Sequence, residues 1–508
     1  EMKRERHLRR SMDWSILTML LGIATFLYLN LFALPRGPFL QAGDQVYFWV
    51  FAQRMFYGEH VYRDFFQFTP PGTELIYLVF LKLFGIRVWL PNIANLALGV
   101  ALCWVCFKVA LQIIERRLAL LATFVFLVLI YGATLNGTHH WFSALVIMCA
   151  AAIALRSTSV SRLAVVGALL ALASLFTQTH GLFATAGFAL FLIAEEAHTD
   201  WNWGRLAGHL ILLLVVFAMV LAGLNAYFVA TVGLKQLWYF QVTYARKYLA
   251  FGQHPLFLGL GVVPTLRTLP ILAQRILVCI ALPMTYGFVL VSCWRRRRDP
   301  TFLNWRELML LCLIGLFLLL EVAFSPNYLR VYVVSMPGII LLVWIIGRSA
   351  RIRRYAVGVA WTGVACLGLQ QTLSRHHNAS VMADLPTGRV AVTPQVCEKL
   401  VWVMRHTRPG LFFFQGTWPG LYFPLELRNP AFLSEITTNE STRPQDVQRT
   451  VQELEEKEVR YILWTEYNEH ADLNYPSAYH LAPLSAYIHD RYRRTQVFAD
   501  QDEIWERK

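Results

Sequence analysis

Residues 42–49 read AGDQVYFW, and residues 66–74, after a run of aromatic and charged side chains, read FQFTPPGTE. Asp44 stands ten residues beyond a long apolar run, Trp14 to Leu34, at the height where lipid headgroups meet water. Tyr47, Trp49, Arg54, Tyr57, Tyr62, Arg63 and Asp64 follow it. This composition suits an amphipathic interfacial helix, with aromatics in the headgroup belt and Asp44 as N-cap. It also suits a general base held near the bilayer surface, where a lipid-borne substrate presents its headgroup. The two prolines and the glycine of FQFTPPGTE break the chain before the next helix, and proline in a first turn sacrifices no hydrogen bond.

The rest of the chain explains the setting. Of 508 residues, 56% are hydrophobic and only 15% charged, and the mean hydropathy is +0.45. Soluble domains carry about a quarter charged residues. Repeated apolar stretches near the ~20-residue bilayer length predict an α-helical polytopic membrane protein. The net charge of +14 comes from short arginine clusters between apolar runs, which membrane topology explains without a nucleic-acid partner. Seven of the eight cysteines lie in apolar segments and only Cys397 in the polar tail, so the tail has no disulfide framework or metal knuckle. KRERHLRR before Trp14 and the absence of a small-residue cleavage site predict an uncleaved first membrane helix.

Further apolar stretches occupy 93–112, 118–134, 141–157, 161–177, 181–195, 206–230, 270–293, 307–325, 329–347 and 355–371. Residues 73–90 are ambiguous, because Lys82, Gly85 and Arg87 interrupt them. Leaving 73–90 at the outer interface puts KRERHLRR, Arg116 and Arg117, Arg156 and Arg162, Arg295 to Arg298, and GRSARIRR on the cytoplasmic side. The expectation is about eleven membrane-spanning helices, a cytoplasmic N-terminus and an outer tail. A membrane domain would cover 1–371, with long outer loops 35–92 and 233–269. From about residue 372 the composition changes abruptly, and alternating strand-like and amphipathic segments predict a small extracytoplasmic α/β domain over 372–508.

The outer face thus collects the chemistry. NGTHHW places His139 and His140 on one short outer turn, THGL places His180 on the next, and SPNYLR places Tyr328 and Arg330 on a third. Glu321 lies about one helical turn inside the membrane, where an ionisable group is costly enough to mark a functional candidate. In the second long loop, Tyr244, Arg246 and Lys247 suit either a headgroup belt or contacts to a lipid phosphate. Nothing resembles a nucleotide-binding or zinc-protease motif. A reaction outside the cell without nucleotide needs an activated donor already across the membrane, such as a polyprenyl-phosphate sugar.

GDQVYFWVFAQRMFYGEHVYRDFFQFTPPGTELIYLVFLKLFG (residues 43–85) resembles the first-loop signature of GT-C glycosyltransferases. The nearest groups are the bacterial relatives of protein O-mannosyltransferases and of the lipid A aminoarabinose transferase. The shared features are an aspartate soon after the first span, a G-x-x-x-Y step, and a proline pair opening a helix that ends in LFG. The resemblance covers roughly residues 13–371. It implies a multi-pass protein of the bacterial inner membrane that transfers a sugar, with inversion, from a polyprenyl-phosphate donor to a lipid, glycan or protein hydroxyl. Asp44 would be the catalytic or substrate-orienting acid. Arg54, Tyr57, Arg63, Asp64, His139, His140, His180, Tyr244, Arg246, Lys247, Glu321, Tyr328 and Arg330 are the candidates for donor-phosphate or acceptor binding.

Two departures from the family pattern stand out. Phe68 and Thr69 occupy the place where relatives often have a lysine before the proline pair, and Asn136 to His140 occupy the turn where several carry a second acid. His139 or His140 could replace that acid, and a divalent cation is one means of stabilising the leaving phosphate. The competing reading is a transporter or flippase for a lipid-linked saccharide, whose sites belong near the midplane on broken helices.

Overall fold

The computed structural model describes residues 2–198, 201–247, 269–299, 302, 304–324, 326–348, 350–437, 442–465 and 480–508. The described residues of each apolar stretch read from the sequence fall mainly on one helix or on consecutive helices. A bilayer supplies no water to the backbone, so a crossing segment must satisfy its own N–H and C=O groups. The helices are α1 Met2–Leu31, α2 Gln45–Phe56, α3 Gly72–Phe84, α4 Leu90–Ala110, α5 Arg116–Val125, α6 Gly132–Thr134, α7 His139–Ala154, α8 Val160–Phe176, α9 Gln178–His198, α10 Trp203–Val232 and α11 Leu234–Trp238. They continue as α12 Leu269–Ile276, α13 Leu282–Arg295, α14 Trp305–Ala323, α15 Tyr328–Val333, α16 Met336–Gly347, α17 Ala350–Asn378, α18 Pro394–His406, α19 Tyr422–Leu425, α20 Pro444–Glu456 and α21 Ala482–Arg491. π-helical turns join α5 to α6 and α12 to α13.

Among the described residues, six segments are long and apolar enough to cross a bilayer: Trp14–Leu31, Leu90–Ala110, Arg116–Thr134, Gln178–His198, Trp203–Val232 and Ile271–Arg295. Helices α7, α8 and α16 are apolar but shorter. The remaining expected spans fall on α14, which carries Arg306, Glu307 and Glu321, and on α17, which opens with three arginines. Length and apolarity alone therefore single out fewer segments than the expected eleven. Helix α3 has 13 residues and reaches about 20 Å at ~1.5 Å per residue, short of a ~30 Å hydrocarbon core.

The chain divides into two units. One comprises residues 1–30, 95–227 and 249–374. Its helices approach closely where glycine allows it: a Cβ on Gly181 would lie 2.6 Å from the Leu170 carbonyl oxygen, and one on Gly315 would lie 2.3 Å from the Tyr286 hydroxyl. Ile211, Met219 and Met284 are largely exposed, as expected for side chains that face lipid rather than water.

The other unit comprises residues 31–94, 228–248 and 375–508. It holds two antiparallel ribbons, β1 Phe32–Ala33 with β2 Gly37–Pro38, and β3 Val381–Leu385 with β4 Gly388–Val392. It also holds a four-stranded sheet of β5 Phe414–Gln415, β6 Tyr461–Thr465, β7 Tyr492–Val497 and β8 Asp502–Arg507, in the order β5-β6-β8-β7. Strands β5 and β6 run parallel, and the other pairs are antiparallel. One hydrophobic core joins the three segments: Phe51, Tyr62 and Phe65 of the first loop, Phe240 of the second, and Phe414, Phe432, Ile462, Trp464 and Trp505 of the tail.

Candidate active site

Helix α2 begins where Gly43 takes a left-handed φ of +80°. Asp44 occupies the N-cap position with helical backbone angles, and its side chain makes no capping hydrogen bond. The carboxylate is exposed, so the capping role that its position suggests is not the one it plays. One turn on, the Tyr47 amide donates to the Asp44 carbonyl at 3.2 Å. The Tyr47 hydroxyl donates to the carboxylate of Glu435 from the tail. The Trp418 ring meets Tyr47 edge-on, with centroids 5.0 Å apart. Burial, together with the charge of nearby Asp44, pushes the Glu435 carboxyl above its ordinary range, although the Tyr47 hydrogen bond opposes this. Glu435 and Trp418 carry no sequence signal; they join Asp44 through the fold.

The neighbouring cations of the first loop are committed elsewhere. Arg54 is 4% exposed. Its Nε donates to Glu59 Oε2 at 2.7 Å, one terminal nitrogen donates to the Ala431 carbonyl at 2.8 Å, and the other to the Asp64 carbonyl at 3.2 Å. It therefore ties the end of α2 to the tail. Arg63 donates twice to Asp64, at 2.9 and 2.8 Å, and the His60 amide adds a third bond at 2.7 Å. These bonds, led by Arg63, hold the Asp64 carboxyl down at about 2. Tyr57 ends α2 beneath the Arg428 guanidinium, 5.3 Å from its ring centroid.

The G-x-x-x-Y step has a backbone cause. Gly58 has φ +91° and Tyr62 has φ +70°. The strain at Tyr62 is held by full burial and by two bonds: its amide to the Phe65 carbonyl at 3.0 Å, and its hydroxyl to the Thr69 carbonyl at 2.8 Å. Gln241 of the second loop donates to the same hydroxyl at 3.0 Å. Sequence reading passed over Glu74, in the first turn of α3. It is fully buried, and one oxygen accepts from Gln67. The other has no partner among the described residues. Burial pushes this carboxyl up to about 8. A glutamate amid LIYLVFL was the available signal.

Tyr244 is buried against Phe66 and Phe68, with centroids 4.6 and 5.5 Å away. Arg246 and Lys247 are exposed. The second loop beyond Lys247, through residue 268, lies outside the described residues.

In the other unit, the short turns bring their histidines together. The His139 and His140 rings lie 3.9 Å apart, and those of His140 and His180 5.1 Å apart. The Ser143 hydroxyl of α7 donates to the His140 carbonyl at 2.8 Å and sits 2.7 Å from His180 Nδ1 of α9. His180 Nε2 faces Glu321 Oε2 of α14 at 3.3 Å, and the Thr179 hydroxyl donates to Glu321 Oε1 at 2.6 Å. Glu321 is thus paired with a neighbouring helix. Tyr328 lies beneath Arg275, 4.4 Å from the guanidinium carbon, and the Arg330 amide is capped by Asn327 at 3.1 Å. Among the described residues, no three His, Cys, Asp or Glu side chains converge as metal ligands, so the donor set does not fit an all-protein cation site.

No protein-family profile and no curated protein matches the sequence. Solved structures do. ArnT from Cupriavidus metallidurans, bound to undecaprenyl phosphate, aligns with a TM-score of 0.62 at 14% identity, over 97% of this chain and 98% of that one. The same protein in its apo state gives 0.61 at 14% identity, over 98% of each chain. The archaeal oligosaccharyltransferase AglB from Archaeoglobus fulgidus, in complex with an inhibitory peptide and a dolichol-phosphate, gives 0.51 at 11% identity, over 96% of this chain and 74% of its own. The fold is GT-C. That is the fold class the first-loop stretch resembles, and the GT-C likeness extends through the tail.

Proposed function

We propose that this GT-C protein is a membrane glycosyltransferase that moves a sugar from a polyprenyl-phosphate carrier to an acceptor hydroxyl on the extracytoplasmic side of a bacterial inner membrane. The observation that carries the reading is the exposed Asp44 carboxylate at the head of α2. A solvent-facing carboxylate within reach of an incoming hydroxyl is suited to take a proton. The whole-length likeness to ArnT, crystallised with undecaprenyl phosphate, supports the donor class. In the transfer, the acceptor oxygen forms a bond to the anomeric carbon and its proton passes to Asp44. The bond from that carbon to the phosphate oxygen breaks, and the electron pair leaves with polyprenyl phosphate, inverting the centre. Arg54, Arg63 and Asp64 act as scaffold in this reading, and the exposed Arg246 and Lys247 stay candidates for contact with the donor phosphate.

Reconstitution in vesicles with a polyprenyl-phosphate hexose tests the proposal. Release of polyprenyl phosphate coupled to acceptor glycosylation is expected. Movement of the intact carrier across the bilayer without release would make the protein a flippase instead. The proposed orientation is checked separately. A membrane-impermeant thiol reagent labels Cys397 in intact cells if the tail is outside, and labels it only after permeabilisation if the orientation is reversed.

A further inference from the structure

Strands β5 and β6 are parallel, and ligand sites in α/β sheets lie beyond the carboxyl ends of such strands, where the following loops diverge. Beyond β5 the chain runs Gly416, Thr417, Trp418, Pro419, Gly420. The Ile436 amide donates to the Gly416 carbonyl at 2.9 Å, which brings Glu435 to the same end of the sheet. Both side chains meet Tyr47: Glu435 accepts its hydroxyl, and Trp418 packs against its ring. Asp44 is one turn away. We propose that Trp418, Glu435 and Tyr47 form, beside Asp44, a subsite for the pyranose ring of a substrate. This inference rests on the transferase reading of Asp44.

The chemistry matches a sugar ring on three counts. A pyranose offers hydroxyl donors along its edge and apolar C–H faces. The Glu435 and Asp44 carboxyls supply oxygens for the hydroxyls. Trp418 and Tyr47 supply broad apolar surface with a polar tip, and both are half-buried, whereas Asp44 is exposed. Apolar surface with a few convergent polar groups fixes a ligand's orientation as well as its affinity.

The Trp418 ring is also held in advance. The Gly420 amide donates to the Trp418 carbonyl at 2.8 Å, and a Cβ on Gly420 would lie 3.0 Å from Trp418 Cδ1. Gln415 fastens the far side of the loop, where its Oε1 accepts from the Leu421 amide at 3.3 Å and its backbone N–H donates to the Tyr422 hydroxyl at 2.8 Å. Support of this kind fixes a binding side chain before its ligand arrives. The tail would therefore contribute directly to the reaction centre, through two residues that lie far from Asp44 in sequence.

The test uses the full-length protein in detergent with three probes: a polyprenyl-phosphate hexose, sugar-free polyprenyl phosphate, and a methyl hexoside. Trp418→Leu and Glu435→Gln are each expected to weaken sugar recognition at least ten-fold while leaving the affinity for sugar-free polyprenyl phosphate unchanged. If the loss falls on binding of the polyprenyl-phosphate hexose, the subsite holds the donor sugar. If it falls on competition by the methyl hexoside, the subsite holds the acceptor sugar. Trp418→Phe, which keeps an aromatic face, is expected to recover part of the affinity lost in Trp418→Leu. Unchanged sugar recognition in both variants overturns the subsite, and does so even if the wild type transfers sugar normally. Equal losses for all three probes also overturn it, since they signal general damage. A wild type that binds hexose through both residues but never releases polyprenyl phosphate keeps the subsite and removes the transferase reading.

Discussion

Glu74, in the first turn of α3, is a fully buried carboxyl. The proline pair before it announces a helix start, and an acid in a first turn ordinarily looks like a response to the helix dipole. Burial changes its character. With the folded carboxyl up at about 8 against an ordinary 4.5, the folded state binds the proton more tightly than the unfolded chain does. Its contribution to stability is fully present below about pH 4.5 and is lost as the pH rises toward 8. Thermal unfolding in detergent at pH 5 and pH 8 is therefore expected to show a larger drop for the wild type than for Glu74→Gln. Equal drops would contradict the shift. Asp44 and its aromatic neighbours were candidates from the sequence because they follow the first apolar run by about ten residues. The partners of Arg54 were not: the Ala431 carbonyl that holds it is 377 residues away in the chain, and no local pattern encodes such a contact.

Helices α7, α9 and α14 are tied by one buried chain of polar groups from Ser143 through His180 to Glu321. Both ends of the ion pair are nearly inaccessible, with 1% and 4% of side-chain surface exposed. Removing one partner of a buried pair leaves the other uncompensated, at a cost of about 3–5 kcal/mol. His180→Ala is expected to lower stability by about that amount, and Ser143→Ala by about 1 kcal/mol, the worth of a typical hydrogen bond. Denaturant titration in detergent reads both; a neutral His180→Ala would show that the pair carries no structural load. Gly181 offers a packing test beside it. An added Cβ would meet backbone, the Leu170 oxygen and the Ser174 nitrogen, each at 2.6 Å, so Gly181→Ala is expected to cost about 1–3 kcal/mol through overpacking. The positions of these helices were readable from apolar run length. The contacts among the three short turns were not readable, because their hydrogen-bonded order depends on helix rotation, which apolar runs without strong periodicity do not specify.

At the scale of the whole molecule, the tail and the two long loops share one core, in which Phe51 and Phe65 pack with Phe414, Phe432 and Trp464. Deleting residues 375–508 is expected to leave the first loop open to limited proteolysis, even though the apolar helices still insert. A first loop equally protected without the tail would contradict that shared core. The change of composition near residue 372 was visible in the sequence, and so was the α/β character beyond it. The sharing of aromatic residues between segments more than 300 positions apart was not, because amphipathic patterns show that a face is buried without naming what covers it. The same limit hid Glu435 and Trp418, whereas Asp44 was a candidate from the sequence alone. The central claim is that its carboxylate takes the acceptor proton, and the most direct measurement is release of polyprenyl phosphate by folded, inserted Asp44→Asn in the presence of acceptor. A fall of about 10²–10⁴-fold against the wild type is predicted; release at the wild-type rate would contradict the account.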